Sequence, residues 1–225
     1  MNVDWQVQDL HTSRGTRREV TATIPEVQLE YAPQLRRDWK AMRTRFLESG
    51  MQDLSVWGEF SQLAQCGRYL FTKRRDRSSF GWAEAYVALT LAPEFDSWTA
   101  AKLFRWNGRP IRKEPQKANT ENVESMLLGE GFTLPRELQD YLDFRPKNPD
   151  LILRHRTTKE WRFCEVKRDE PVLPEQVNAL AFLHLLTGAP VAVVRLVPEG
   201  KSRKLRIHKA RFTYRGPVQR SWLTG

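Results

Sequence analysis

The sequence predicts an α/β protein: a mixed sheet flanked by helices over residues 78–215, with a helical, basic extension over 1–77 and a short tail over 216–225. Three observations carry this prediction. The last third strings together apolar runs of strand length, NPDLIL, WRFCEV and VAVVRLV, with one amphipathic helix between the second and third. Ahead of them a strongly apolar helical run, FGWAEAYVALTL, stops at Pro93. The first half instead repeats apolar residues at three- and four-residue spacing between basic ones.

In chain order, residues 1–31 alternate without long periodicity. Val20, Ala22 and Ile24 suggest a short strand that Pro25 ends or places at an edge. Residues 32–49 read as a helix with Leu35, Trp39, Met42 and Phe46 on its apolar stripe. Arg36, Arg37, Lys40, Arg43 and Arg45 lie on its other faces, and Gly50 stops it. A second helix, 53–70, runs into the basic Lys73–Arg74–Arg75. After the apolar helix, residues 98–106 suggest a strand closed by the turn sequence NGRP. Residues 108–117 read as a polar, basic linker, and two short helices follow, 120–128 and 135–142. Strands at 150–153 and 161–166 pair as a hairpin around Arg156–Thr157–Thr158–Lys159. Pro174 begins a helix that Gly188 ends, 191–197 is a buried strand, and 205–214 adds a basic hairpin at the sheet edge.

The composition excludes several classes. With 225 residues, 40% of them hydrophobic, the chain can bury a core and is not of disordered composition. No apolar run approaches the roughly 18–20 residues of a membrane span, and the start MNVDWQVQDL lacks the basic and apolar regions of a secretory leader, so a cytoplasmic protein is expected. Cys66 and Cys164 make no metal pattern and read as reduced thiols. The net charge of +10 is uneven. Residues 76–197 balance, whereas 198–225 hold eight basic side chains and one acid. Such a concentrated surface suits a polyanion, and Lys201, Arg203, Lys204, Arg206, Lys209 and Arg211 are its candidate nucleic-acid contacts. A solvated tail that aids solubility is the competing reading.

Chemistry concentrates at Asn148–Pro149–Asp150 and Glu165–Val166–Lys167. On a strand, Glu165 and Lys167 share one face while Val166 points to the other. Hairpin pairing would bring Asp150 beside them. Two carboxylates converging near a lysine are costly without a cation, and oxygen donors, with the Val166 carbonyl as a third, suit Mg²⁺ or Mn²⁺. Such a site can polarise a phosphodiester and orient water for in-line attack, with Lys167 holding the water or the developing charge.

The run NPDLIL, then EVK, then a helix carrying Gln176, then VAVVRLV resembles the PD-(D/E)xK nuclease superfamily, and within it the VRR-NUC group that includes the Fanconi-associated nuclease. The resemblance covers roughly 81–198 and is tight over 148–197. It implies a restriction-endonuclease-like core in which Asp150 and Glu165 are metal-binding acids, Lys167 the catalytic lysine and Gln176 the glutamine of the following helix. It also implies an acid on a helix before the first strand. Glu84 gives the order helix, three strands, helix, strand and is preferred to Glu121 or Glu124; with that choice residues 107–146 become an insertion between the first strand and the Asp150 strand. The expected activity is Mg²⁺- or Mn²⁺-dependent DNA endonuclease cleavage, on branched or otherwise structured DNA. Readings left open are a nuclease toxin, a mobile-element or defence endonuclease, and an inactive DNA-binding module, acting as a monomer, as a homodimer or with a partner protein.

Overall fold

The computed structural model describes residues 8–14, 17–48, 82–91, 95–99 and 142–215. The helices expected over 53–70, 120–128 and 135–142, the acids Glu121 and Glu124, and the 216–225 tail lie outside these residues or nearly so. Among the described residues there are seven strands: β1 (Gln8–Arg14), β2 (Arg17–Tyr31), β3 (Phe95–Thr99), β4 (Leu151–His155), β5 (Trp161–Lys167), β6 (Val191–Pro198) and β7 (Ile207–Arg215). Three helices accompany them: α1 (Pro33–Glu48), α2 (Trp82–Leu91) and α3 (Pro174–Thr187). The chain is α/β, with a mixed sheet flanked by helices.

The sheet runs β1-β2-β6-β5-β4-β3, and β7 also pairs with β2. The β3–β4 and β4–β5 pairs are antiparallel, whereas β6 lies parallel to both β5 and β2. Helix α3 makes the β5-to-β6 crossover that a parallel pair requires. Among the described residues, the elements from α2 to β6 run helix, three strands, helix, strand, in the expected order, and β7 follows.

Two apolar layers cover the sheet. On one face α3 buries Val177, Leu180, Phe182, Leu183 and Leu186 near Ile24, Phe163, Val191, Val193 and Phe212. On the other, Trp39 of α1 and Trp82 and Val87 of α2 join Val27, Leu29, Leu151, Cys164, Val166 and Val194. Each large aliphatic or aromatic side chain so buried contributes about 1.5–3 kcal/mol. Alternation decides which face each residue serves: on β2, Ile24 faces the α3 layer and Val27 the other.

Several expectations need correction. The N-terminal region is not a purely helical extension, because β2 is a fifteen-residue strand paired with β1, β6 and β7. Pro25 neither ends it nor marks the sheet's edge; at that position the partner on β2's flank changes from β7 to β6, whose register begins at Glu26. The third strand starts at Phe95, earlier than the expected 98. Residues 207–215 do not form a hairpin, since β7 pairs with β2 from near the chain's start. On α1, Arg43 is buried rather than solvent-facing, whereas Trp39 is buried in the core as its place on the apolar stripe implies. Among the described residues, no helix is long and apolar enough to cross a membrane.

Candidate active site

The register of β4 and β5 sets Leu151 opposite Cys164. Asp150, one residue ahead of β4, therefore arrives level with Glu165. Along β5, Cys164 and Val166 turn into the α1/α2 layer, while Glu165 and Lys167 take the face of Phe163, the one covered by α3. The Val166 N–H donates to Asp150 Oδ2 at 2.8 Å and fixes that carboxyl at the strand end. The expected contribution of Val166 was its carbonyl; the contact seen is through its amide.

Glu165 is 2% exposed. Its Oε1 accepts from Lys167 Nζ at 2.6 Å and also from the Gln176 side-chain amide. Gln176 sits in the first turn of α3, and its own Oε1 accepts the Leu173 N–H at 3.0 Å. One side chain thus caps the helix start and grips the buried carboxyl. Pro174 at the first helical position already lacks the N–H that would need a partner there.

The electrostatics are those of crowded carboxyls. Burial and then the Asp150 charge raise Glu165 to about 8, against the pull of Lys167. Burial likewise raises Asp150, although the Val166 N–H and Lys167 oppose it. Glu84, on the first turn of α2, is raised to about 7 by burial and by Asp150, with Arg168 and Lys167 acting the other way. Asp150 and Glu165 lie close enough for each to perturb the other's titration. Two carboxylates about 4 Å apart repel by about 4 kcal/mol at an effective dielectric near 20. Either a proton or a cation must offset that repulsion.

The structure therefore gathers Asp150, Glu165, Lys167 and Gln176 by direct contact and sets Glu84 within their field. Among the described residues, no three His, Cys, Asp or Glu side chains stand in metal-holding geometry. Lys201, Arg203, Lys204 and Arg206 are exposed on the loop before β7, and Lys209 and Arg211 are exposed on β7 itself. Sequence reasoning missed Arg195 and Glu26. Arg195 NH1 donates to the Arg168 and Glu170 carbonyls at 2.8 Å each, holding the loop that leaves Lys167. Its Nε donates to Glu26 Oε1, also at 2.8 Å. The signal was there: Arg195 is the single charge inside VAVVRLV.

Comparison of the chain with protein-family models, with curated proteins and with solved structures gives no match in any of the three.

Proposed function

We propose that this chain is a divalent-metal-dependent DNA endonuclease with a PD-(D/E)xK core, acting on branched or otherwise structured DNA as its sequence resemblance implies. The observation that carries the reading is the convergence of Asp150 and Glu165 at the ends of adjacent strands, with Lys167 and Gln176 on the buried carboxyl and Glu84 close enough to be raised by Asp150. Carboxylate oxygens held together at this electrostatic cost fit a hard cation such as Mg²⁺ or Mn²⁺. Asp150 and Glu165 would hold it, with the Val166 carbonyl as an additional donor, and Glu84 would have to close on the pair from its place on α2 to join them; when bound, the cation would supply Lewis acidity toward a phosphodiester.

The protein's own groups account for the rest. Lys167 holds the attacking water or the negative charge gathering on the phosphoryl oxygens. Gln176 fixes the orientation of Glu165, so that the carboxyl need not reorganise during the reaction. In the hydrolysis, a water oxygen bonds to phosphorus, the bond to the leaving oxygen breaks, and the water's proton ends on the departing hydroxyl. The exposed basic residues of 201–211 bind the phosphate backbone.

Plasmid and branched-DNA cleavage in Mg²⁺, Mn²⁺ and EDTA tests this. Cleavage is expected with either metal and not in EDTA, and Asp150→Ala and Lys167→Ala should each lower it by at least about a hundredfold, the scale of lost electrostatic stabilisation. Equal cleavage by wild type and Asp150→Ala would refute the assignment. DNA binding with no cleavage under any metal would leave a binding module.

A further inference from the structure

We propose that the segment from Arg203 to Arg211 is an arm that grips duplex DNA through its basic side chains and sets Leu205 and Ile207 as an apolar wedge into a groove; the inference rests on the nuclease reading and deepens it. Ile207 is 72% exposed and Leu205 45% exposed. With Leu173, they are the exposed large hydrophobics among the described residues. Both stand among exposed Arg203, Lys204, Arg206 and Lys209, and no acid follows Glu199 in the chain.

The backbone holds these side chains outward. The Glu26 N–H donates to the Arg206 carbonyl at 3.0 Å, and the Arg206 N–H donates to Glu26 Oε2 at 2.9 Å, so the residue between the two apolar ones is clamped on both sides. Antiparallel pairing with β2 then continues through Arg215. Alternation puts Ile207, Lys209 and Arg211 in one row, about 7 Å between neighbours, with Ala210 and Phe212 on the buried side. Across the ladder their partners are Pro25, Thr23 and Thr21, all short, so the row stands above its surroundings.

The arm also reaches the candidate active site. Arg203 NH1 donates to the Arg168 carbonyl at 3.1 Å, and Arg168 directly follows Lys167. That contact ties the root of the arm to the loop leaving Lys167, while the row itself, alternating with buried Ala210 and Phe212, lies on the face of the sheet away from α3. Duplex DNA offers phosphates for the basic residues and stacked base steps that an aliphatic side chain can part, the arrangement by which minor-groove proteins kink their substrates. A kinked or unstacked step is also what structured DNA already presents.

The test is binding of labelled duplex and branched DNA in EDTA, followed by anisotropy over a salt series and by the fluorescence of 2-aminopurine placed in the duplex. Wild type should bind and raise the 2-aminopurine signal by unstacking. The pair Lys209→Gln with Arg211→Gln should flatten the salt dependence by roughly 1.8 in log–log slope, two phosphate contacts at about 0.9 each. The pair Leu205→Ala with Ile207→Ala should lower affinity about tenfold, leave that slope unchanged and abolish the signal. Both apolar residues are exposed, and matching circular dichroism melts establish that the variants fold. Wild-type affinity and signal in the Leu205→Ala, Ile207→Ala variant would overturn the arm, as would loss of self-association rather than DNA binding. Because the assay needs no cutting, wedge-dependent binding by a protein that never cleaves would sink the nuclease reading and leave the arm standing; cleavage without the wedge signal would do the reverse.

Discussion

Glu26 and Arg195 form an ion pair inside the sheet, with side chains 1% and 4% exposed and 2.6 Å from Arg195 NH2 to Glu26 Oε1. Burial alone would raise the Glu26 pKa, but the hydrogen bonds from Arg195 and the Arg206 N–H, with the charges of Arg195 and His208, bring it below its ordinary 4.5. His208, whose Nε2 lies 3.7 Å from Glu26 Oε1, is lowered from 6.5 chiefly by burial, against the attraction of Glu26. The signs agree. A depressed carboxyl contributes stability that is complete above 4.5 and is lost as pH falls through its folded value, and a depressed histidine loses stability as pH falls below 6.5. Glu26→Gln would leave Arg195 buried without its counter-charge, at a cost of about 3–5 kcal/mol. Urea unfolding at pH 7 should show that loss, and the acid limb of the variant's stability curve should be shallower than that of wild type. Unchanged stability at pH 7 would mean that the pair contributes nothing.

Helix α3 shows what was legible in the sequence at the level of elements. Pro174 opens it, its apolar residues face the sheet, and Gly188 follows it at φ +68°, donating its N–H to the His184 carbonyl at 2.7 Å. A Cβ at Gly188 would meet nothing within 4 Å. The cost of Gly188→Ala is therefore conformational alone, about 1–2 kcal/mol, and should appear in chemical denaturation as a shifted midpoint with an unchanged slope. The β4–β5 hairpin and β6 were equally legible, because turn residues and continuous apolar runs are local signals. The same local signals brought Asp150, Glu165 and Lys167 together, since strand alternation and a single hairpin register suffice to place them. The length of β2 was not legible. Its partners β6 and β7 lie at the other end of the chain, and Pro25 argued locally for a break that pairing overrides. Glu26 was hidden for the same reason: a charge beside a proline reads as a loop until β6 supplies Arg195.

At the scale of the whole molecule, β2 decides where the folding unit begins. A boundary near residue 77 would make the preceding chain dispensable. In the structure, β2 pairs with β1, β6 and β7 and buries Val20, Ile24, Val27, Leu29 and Tyr31 across the two apolar layers. Five such side chains contribute roughly 8–15 kcal/mol by area, as much as the 5–15 kcal/mol that holds a whole domain folded. Without β2, the edge of β6 would expose the backbone of VAVVRLV, an apolar strand open to pairing between copies. It would also strip Glu26 from Arg195, the residue whose NH1 holds the loop after Lys167. A protein lacking residues 1–31 should therefore show no cooperative thermal transition by circular dichroism and should aggregate, although every candidate active-site residue is still present. A cooperative melt within a few degrees of the full chain would show that 78–215 folds alone, and that β2 only lies against a sheet already complete.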